Sequence, residues 1–127
     1  MTNFRQFEAI DPFGRSWTAE FTWQQTAISI RHADCVDVKW AISTTGETMD
    51  KVIALPLPQL MAESAKSGRA LTDPWCMKLA AAHLKKMLET WQDMDKTLVT
   101  LNAVELGEAA AVVAEWAAGV LAEAQLA

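Results

Sequence analysis

The 127-residue chain contains no run of about 18 apolar residues, the length a helix needs to cross a bilayer. Its Ala-rich C-terminal stretch is broken by Glu108, Glu115 and Glu123. The N-terminal MTNFRQFEAID has no apolar core of signal-peptide type, so a cytoplasmic location without a membrane partner is expected. Cysteine is scarce, with Cys35 and Cys76 alone, and reduced thiols are expected rather than a bridge. A Gly-rich phosphate loop, G-x-S-x-G, H-E-x-x-H and C-x-x-C are all missing. Dinucleotide binding, P-loop hydrolysis and zincin chemistry therefore have no support. Positive charge is in deficit, 11 Lys and Arg against 16 Asp and Glu, for a net charge of −5. A field of that sign repels nucleic-acid backbones, so no nucleic-acid partner is expected. The tight basic cluster Lys85-Lys86, with Lys78, suits a solvated helix face.

What is present is ordinary globular material, 51% apolar and 21% charged. The length fits one domain, residues 1–127, which buries roughly two-thirds of its unfolded surface and needs no metal or disulfide. No internal repeat or low-complexity linker divides it.

The clearest helix follows Thr72. Asp73 is an expected N-cap, Pro74 suits the first helical position, and the helix should reach about Gln92. Lys78, Lys85, Glu89 and Asp93 share one side; Cys76, Ala80, His83, Leu84, Met87 and Trp91 share the other.

The chain before it reads as strands. Residues 4–10 form a first strand, and Asp11-Pro12-Phe13-Gly14 has a type I turn signature. From Ser16 to Gln24, Trp17, Ala19, Phe21 and Trp23 alternate with polar residues, which predicts a strand with one wet face. A turn is expected at Gln24–Thr26, then a strand over 27–32 with Ile28, Ile30 and His32 inward. Val36–Ser43 is a fourth strand and 49–55 a fifth. Short loops imply a meander.

Pro56 and Pro58 end the sheet and open a short helix to about residue 67, with Gly68 as its left-handed stop. Residues 97–101 read as a strand or an extended connector. Asn102 and Glu105 have capping-box spacing before a helix over 103–125. Its stripe is Leu106, Ala109, Val113, Trp116, Val120 and Ala124, with Gly107 and Gly119 inside. The fold class is α+β: an antiparallel meander of about five strands over residues 4–55, covered on one face by helices at about 58–67, 74–92 and 103–125.

Chemistry is thin. His32, Asp34, Cys35 and Asp37 bring an imidazole, a thiol and carboxylates to a strand end, where they could serve as base or ligands. Ordinary structural roles account for them as well: Asp34 as a turn former, His32 at the edge of the core and Asp37 as a solvent-facing strand residue. A zinc site joining His32, Cys35, Cys76 and His83 fails on geometry. Seven residues of helix separate Cys76 from His83 by about 10.5 Å along the axis, too far for one ion. His83 is expected in the core or lining a pocket. Five tryptophans, Trp17, Trp23, Trp40, Trp91 and Trp116, fall on inward faces, and Trp75 toward solvent as a candidate contact. The last helix is apolar or small around most of its circumference, which suggests packing on two sides. A homodimer through Val113, Trp116 and Val120, with Trp75 as a further contact, is the first functional expectation. That reading is a non-catalytic protein-interaction module with no cofactor and no metal. The other is a small-molecule-binding protein or enzyme, with a pocket between sheet and helices near His32, Asp34, Cys35 and His83.

Overall fold

The computed structural model describes residues 4–27 and 34–126, with side chains described to residue 119 in the last helix. Element order is β1 (Gln6–Ile10), β2 (Ser16–Ala27), β3 (Cys35–Thr44), β4 (Glu47–Pro56), α1 (Leu57–Ser67), α2 (Asp73–Thr90), β5 (Leu98–Thr100) and α3 (Ala103–Leu126). The five strands form one sheet in the order β1-β2-β3-β4-β5. Neighbours from β1 to β4 are antiparallel, as a meander requires. β5 joins β4 in parallel, so the sheet is mixed and 97–101 contributes a strand. The connection from β4 to β5 runs through α1 and α2, the kind of crossover that parallel neighbours need.

Two strand expectations need correction. There is no turn at Gln24–Thr26; β2 runs unbroken from Ser16 to Ala27. The parity break that suggested a turn is a bulge. Phe21 pairs with Trp40 and Trp23 with Lys39, which leaves Thr22 as the extra residue. A bulge flips every later side chain to the other face. Trp23 is thus on the outer face, 37% exposed, with the Lys39 ammonium 5.9 Å from its ring centroid. Gln24, not Trp23, sits opposite inward Val38. The separate strand over 27–32, with Ile28, Ile30 and His32, lies outside the described residues beyond Ala27.

The core sits between one sheet face and the helices. Phe7, Ala9, Trp17, Ala19, Val38, Trp40, Ile42, Ile53 and Leu55 are buried there. Trp40 is flanked edge-on by Phe7 and Phe21, at 5.5 and 5.8 Å between centroids. An indole this size removes about 200 Å² from water, near 5 kcal/mol at ~25 cal/mol/Å². The helices do not all lie on the sheet. α2 contacts all four meander strands, while α3 packs chiefly on α2 and α1. α2 is therefore covered on several sides, and Trp75, expected in solvent, is 5% exposed within the core.

Helix ends follow local chemistry. α2 starts one residue earlier than expected: Thr72 is the N-cap, its hydroxyl accepting from the Trp75 N–H at 3.3 Å. Asp73 is the acidic residue of the first turn, where the helix dipole favours it. The helix stops at Thr90 because Trp91 is left-handed, φ 64°. Gly68 closes α1 at φ 72°, its N–H donating to the Ser64 carbonyl. No helix among the described residues is long and apolar enough to cross a membrane.

Two buried polar side chains brace the fold, one within its own corner and one between distant segments. At the β1–β2 corner, the Gly14 N–H closes the turn on the Asp11 carbonyl at 3.1 Å. The Asp11 carboxylate accepts from the Phe13 N–H, the Arg15 N–H, Arg15 Nε and Trp17 Nε1, all at 2.7–2.9 Å. Burial pushes the Asp11 pKa up, but the donors outweigh it and hold the group down at about 2. The Arg15 guanidinium lies 5.0–5.7 Å from the rings of Phe13, Trp17 and Trp91. On β4, the Lys51 side chain points inward beside Ile53. Its Nζ donates to the Met94 and Lys96 carbonyls at 2.7 and 2.6 Å, clamping the loop before β5.

Candidate functional site

The most developed site lies between α2 and α3. His83 occupies the buried side of α2, as its place between Cys76 and Met87 requires, and is 2% exposed. α3 is placed opposite by β5: the Leu101 N–H donates to the Ala54 carbonyl at 3.0 Å, and the chain turns at once into the helix. The expected capping box forms there. The Glu105 N–H donates to Asn102 Oδ1 at 2.8 Å, and the Asn102 N–H donates to Glu105 Oε1 at 3.0 Å. That bond uses one carboxylate oxygen. The other, Oε2, stands 3.8 Å from His83 Nε2, too far for a hydrogen bond.

A half-open cleft of about 370 Å³ runs along this junction. Ala82, Ala109, Val112 and Trp116 supply apolar lining, and His83 and Glu105 the inner polar atoms. Lys85–Glu89 and Lys86–Glu108, each 2.8 Å, are ion pairs among its outer lining. The Lys86 ammonium hydrogen-bonds Glu108 and holds its carboxyl below the usual range. The Thr90 hydroxyl donates to the Lys86 carbonyl at 2.7 Å.

His83 Nε2 is buried with no hydrogen-bond partner among the described residues. Such an atom forfeits its hydration, a cost of about 1–3 kcal/mol. Burial pushes the His83 pKa below the ordinary histidine value, against the pull of Glu105, so the ring is neutral near pH 7. A neutral imidazole whose Nδ1 carries the proton presents Nε2 as an acceptor. Trp40 Nε1 and Gln59 Oε1 are also buried without partners, but neither residue lines this cleft. A larger hollow, about 480 Å³, lies at the β2 bulge, lined by Phe21, Trp23, Gln24 and the start of α2. It has no comparable orphan: Gln24 Nε2 donates to the Asp73 carbonyl at 3.1 Å.

The other expected site residues are dispersed. His32 lies outside the described residues. Asp34 is exposed before β3, its carbonyl accepting from the Leu57 N–H at 2.8 Å. Cys35 is buried at the start of β3. Neither lines the cleft, so the expected grouping of Asp34 and Cys35 with His83 does not occur there. Cys76 is a free thiol, hence not bridged to Cys35, and burial pushes its pKa up to about 11. Among the described residues no three His, Cys, Asp or Glu side chains gather as a metal site.

Of the expected contact residues, Trp75 and Val113 are buried within the chain. Trp116 is half-buried, 5.4 Å from the Phe4 ring, and lines the cleft. The Val120 side chain lies outside the described residues. The sequence reading missed Glu105 as a site residue. Its capping-box spacing was visible, but not the helix pairing that sets it against His83.

Comparison with known proteins finds no matching family model, no matching curated protein and no matching solved structure.

Proposed function

We propose that the protein binds a small organic molecule in the α2–α3 cleft, with His83 as its polar anchor. One observation carries this reading: His83, whose buried Nε2 has no hydrogen-bond partner among the described residues, lines an apolar cleft of ligand size. A bound hydrogen-bond donor would restore what burial removes. We read the site as one of binding rather than catalysis. Its hydroxyl is engaged with backbone and its lysines are ion-paired, so among the described residues the imidazole has no free nucleophile beside it. A cytoplasmic location belongs to the same reading.

The test is a fragment screen by NMR on the full chain. Binders should shift the Trp116 indole and the amides of Ala82, Ala109 and Val112, and His83→Leu should abolish those shifts. Fragments that perturb only residues elsewhere would overturn the assignment.

A second reading, self-association as a homodimer, has one observation in its favour. Val104 is 70% exposed on α3, and Ala111, Ala114 and Ala118 follow it along the open side. Light scattering at high micromolar concentration decides it, and a strict monomer removes it.

A further inference from the structure

We infer that the ligand class of this cleft is a compact apolar molecule bearing a protonated amine, held jointly by His83 Nε2 and Glu105 Oε2; this rests on the binding reading above. Three observations converge. Charge comes first. Glu89 and Glu108 are each neutralised by a lysine at 2.8 Å, whereas among the described residues Glu105 Oε2 has no cation within salt-bridge reach, its one neighbour there being the neutral imidazole. The inner end of the cleft therefore favours a cation and repels a carboxylate or phosphate.

Geometry comes second. With the imidazole proton on Nδ1, Nε2 and Oε2 are two acceptors 3.8 Å apart. A nitrogen about 2.8 Å from both would see them at an angle of about 85°, close enough to tetrahedral for two slightly bent N–H donations. A hydroxyl has a single proton and serves only one acceptor at a time; an ammonium serves both. Burial comes third. His83 is 98% removed from solvent by its own fold, so a donor that reaches its nitrogen meets little competition from bulk water. The rest of the ligand meets Ala109, Val112 and the Trp116 ring, which accept hydrocarbon or an aromatic face.

The experiment is an NMR titration of the full chain at pH 7 with 2-phenylethylamine, 2-phenylethanol and phenylacetate. These share a ring and chain and differ in the terminal group. The amine is expected to shift the Trp116 indole and to bind about tenfold more tightly than the alcohol, with phenylacetate weakest. Glu105→Gln keeps an acceptor oxygen for the capping box and removes the charge, so the helix end survives. In that variant the amine and alcohol should become equal. Equal binding of all three to the unmodified chain would overturn the amine inference and leave the cleft reading standing. Failure of the amine to perturb the cleft, while other fragments do, would overturn it likewise. Failure of every fragment there would sink both. Retention of the amine's advantage in Glu105→Gln would also overturn it, because the charge would then come from elsewhere.

Discussion

Asp11 and His83 are both polar and both buried. They differ in saturation. Asp11 collects four donors from its own corner; His83 Nε2 has none. A buried polar group with every lone pair occupied acts as a staple, since removing it orphans its partners. A buried polar group left short is a cost that the fold retains, and a ligand is one reason to retain it.

The largest break in this comparison should come from Asp11→Ala. It strands the Trp17 indole N–H and two backbone N–H groups, and the melting temperature should fall on the order of 10 °C in a circular-dichroism melt. A change under about 2 °C would show that water replaces the carboxylate without loss. Lys51→Met tests whether a second saturated group behaves alike. Losing two charge-assisted bonds to Met94 and Lys96 should cost about 2 kcal/mol in urea unfolding, with the loop before β5 exchanging its amides faster.

Acid separates the two sites on one axis. Asp11 has its folded pKa near 2, below the ordinary 3.8, so its stabilisation is full above about pH 4 and disappears as pH falls toward 2. His83 is also depressed. Its neutral form is favoured by folding, so stability is full above the ordinary histidine value of about 6.5 and declines as pH falls through its folded value. Urea midpoints against pH should show both limbs, and His83→Leu should remove the upper one alone. The smallest effect is the most diagnostic. At pH 7, His83→Leu should be neutral or stabilise by up to about 1 kcal/mol while ending ligand binding. A loss above about 2 kcal/mol would class His83 with Asp11 as a staple.

Much of the fold was legible because it rests on local rules. The alternation from Ser16 to Phe21, the Asp11–Gly14 turn, the Gly68 stop and the Asn102–Glu105 cap all appear where residue chemistry puts them. The misplaced residues depend on what lies across the chain. Trp23 follows a bulge, and period-two counting carries no warning of an inserted residue. Trp75 was expected in solvent because a helix wheel has two sides, whereas α2 is enclosed by the sheet and α3. Lys51 did leave a signal. It shares parity with Ile53 and Leu55, and a lysine in register with core positions implies carbonyls waiting for it. For the site, the position of His83 followed from its helical stripe. Its relation to Glu105, 22 positions later in the chain, depends on interhelical packing that no local pattern encodes.

The parallel β5 has a consequence for the order of events in folding. The β3–β4 hairpin closes across Thr44 and Glu47, while β4–β5 must join Val52 to Leu98. By loop-closure scaling, spanning 46 positions instead of a few costs about 2 kcal/mol more chain entropy before any contact repays it. Pairings of that separation form late. α3 follows β5 directly, so that closure anchors the start of the wall bearing Glu105, Ala109 and Trp116, which otherwise rests on α2 and α1. Binding at the proposed site is thus expected to become complete with this long-range pairing, and refolding followed by ligand binding should lag behind refolding followed by formation of the β3–β4 hairpin.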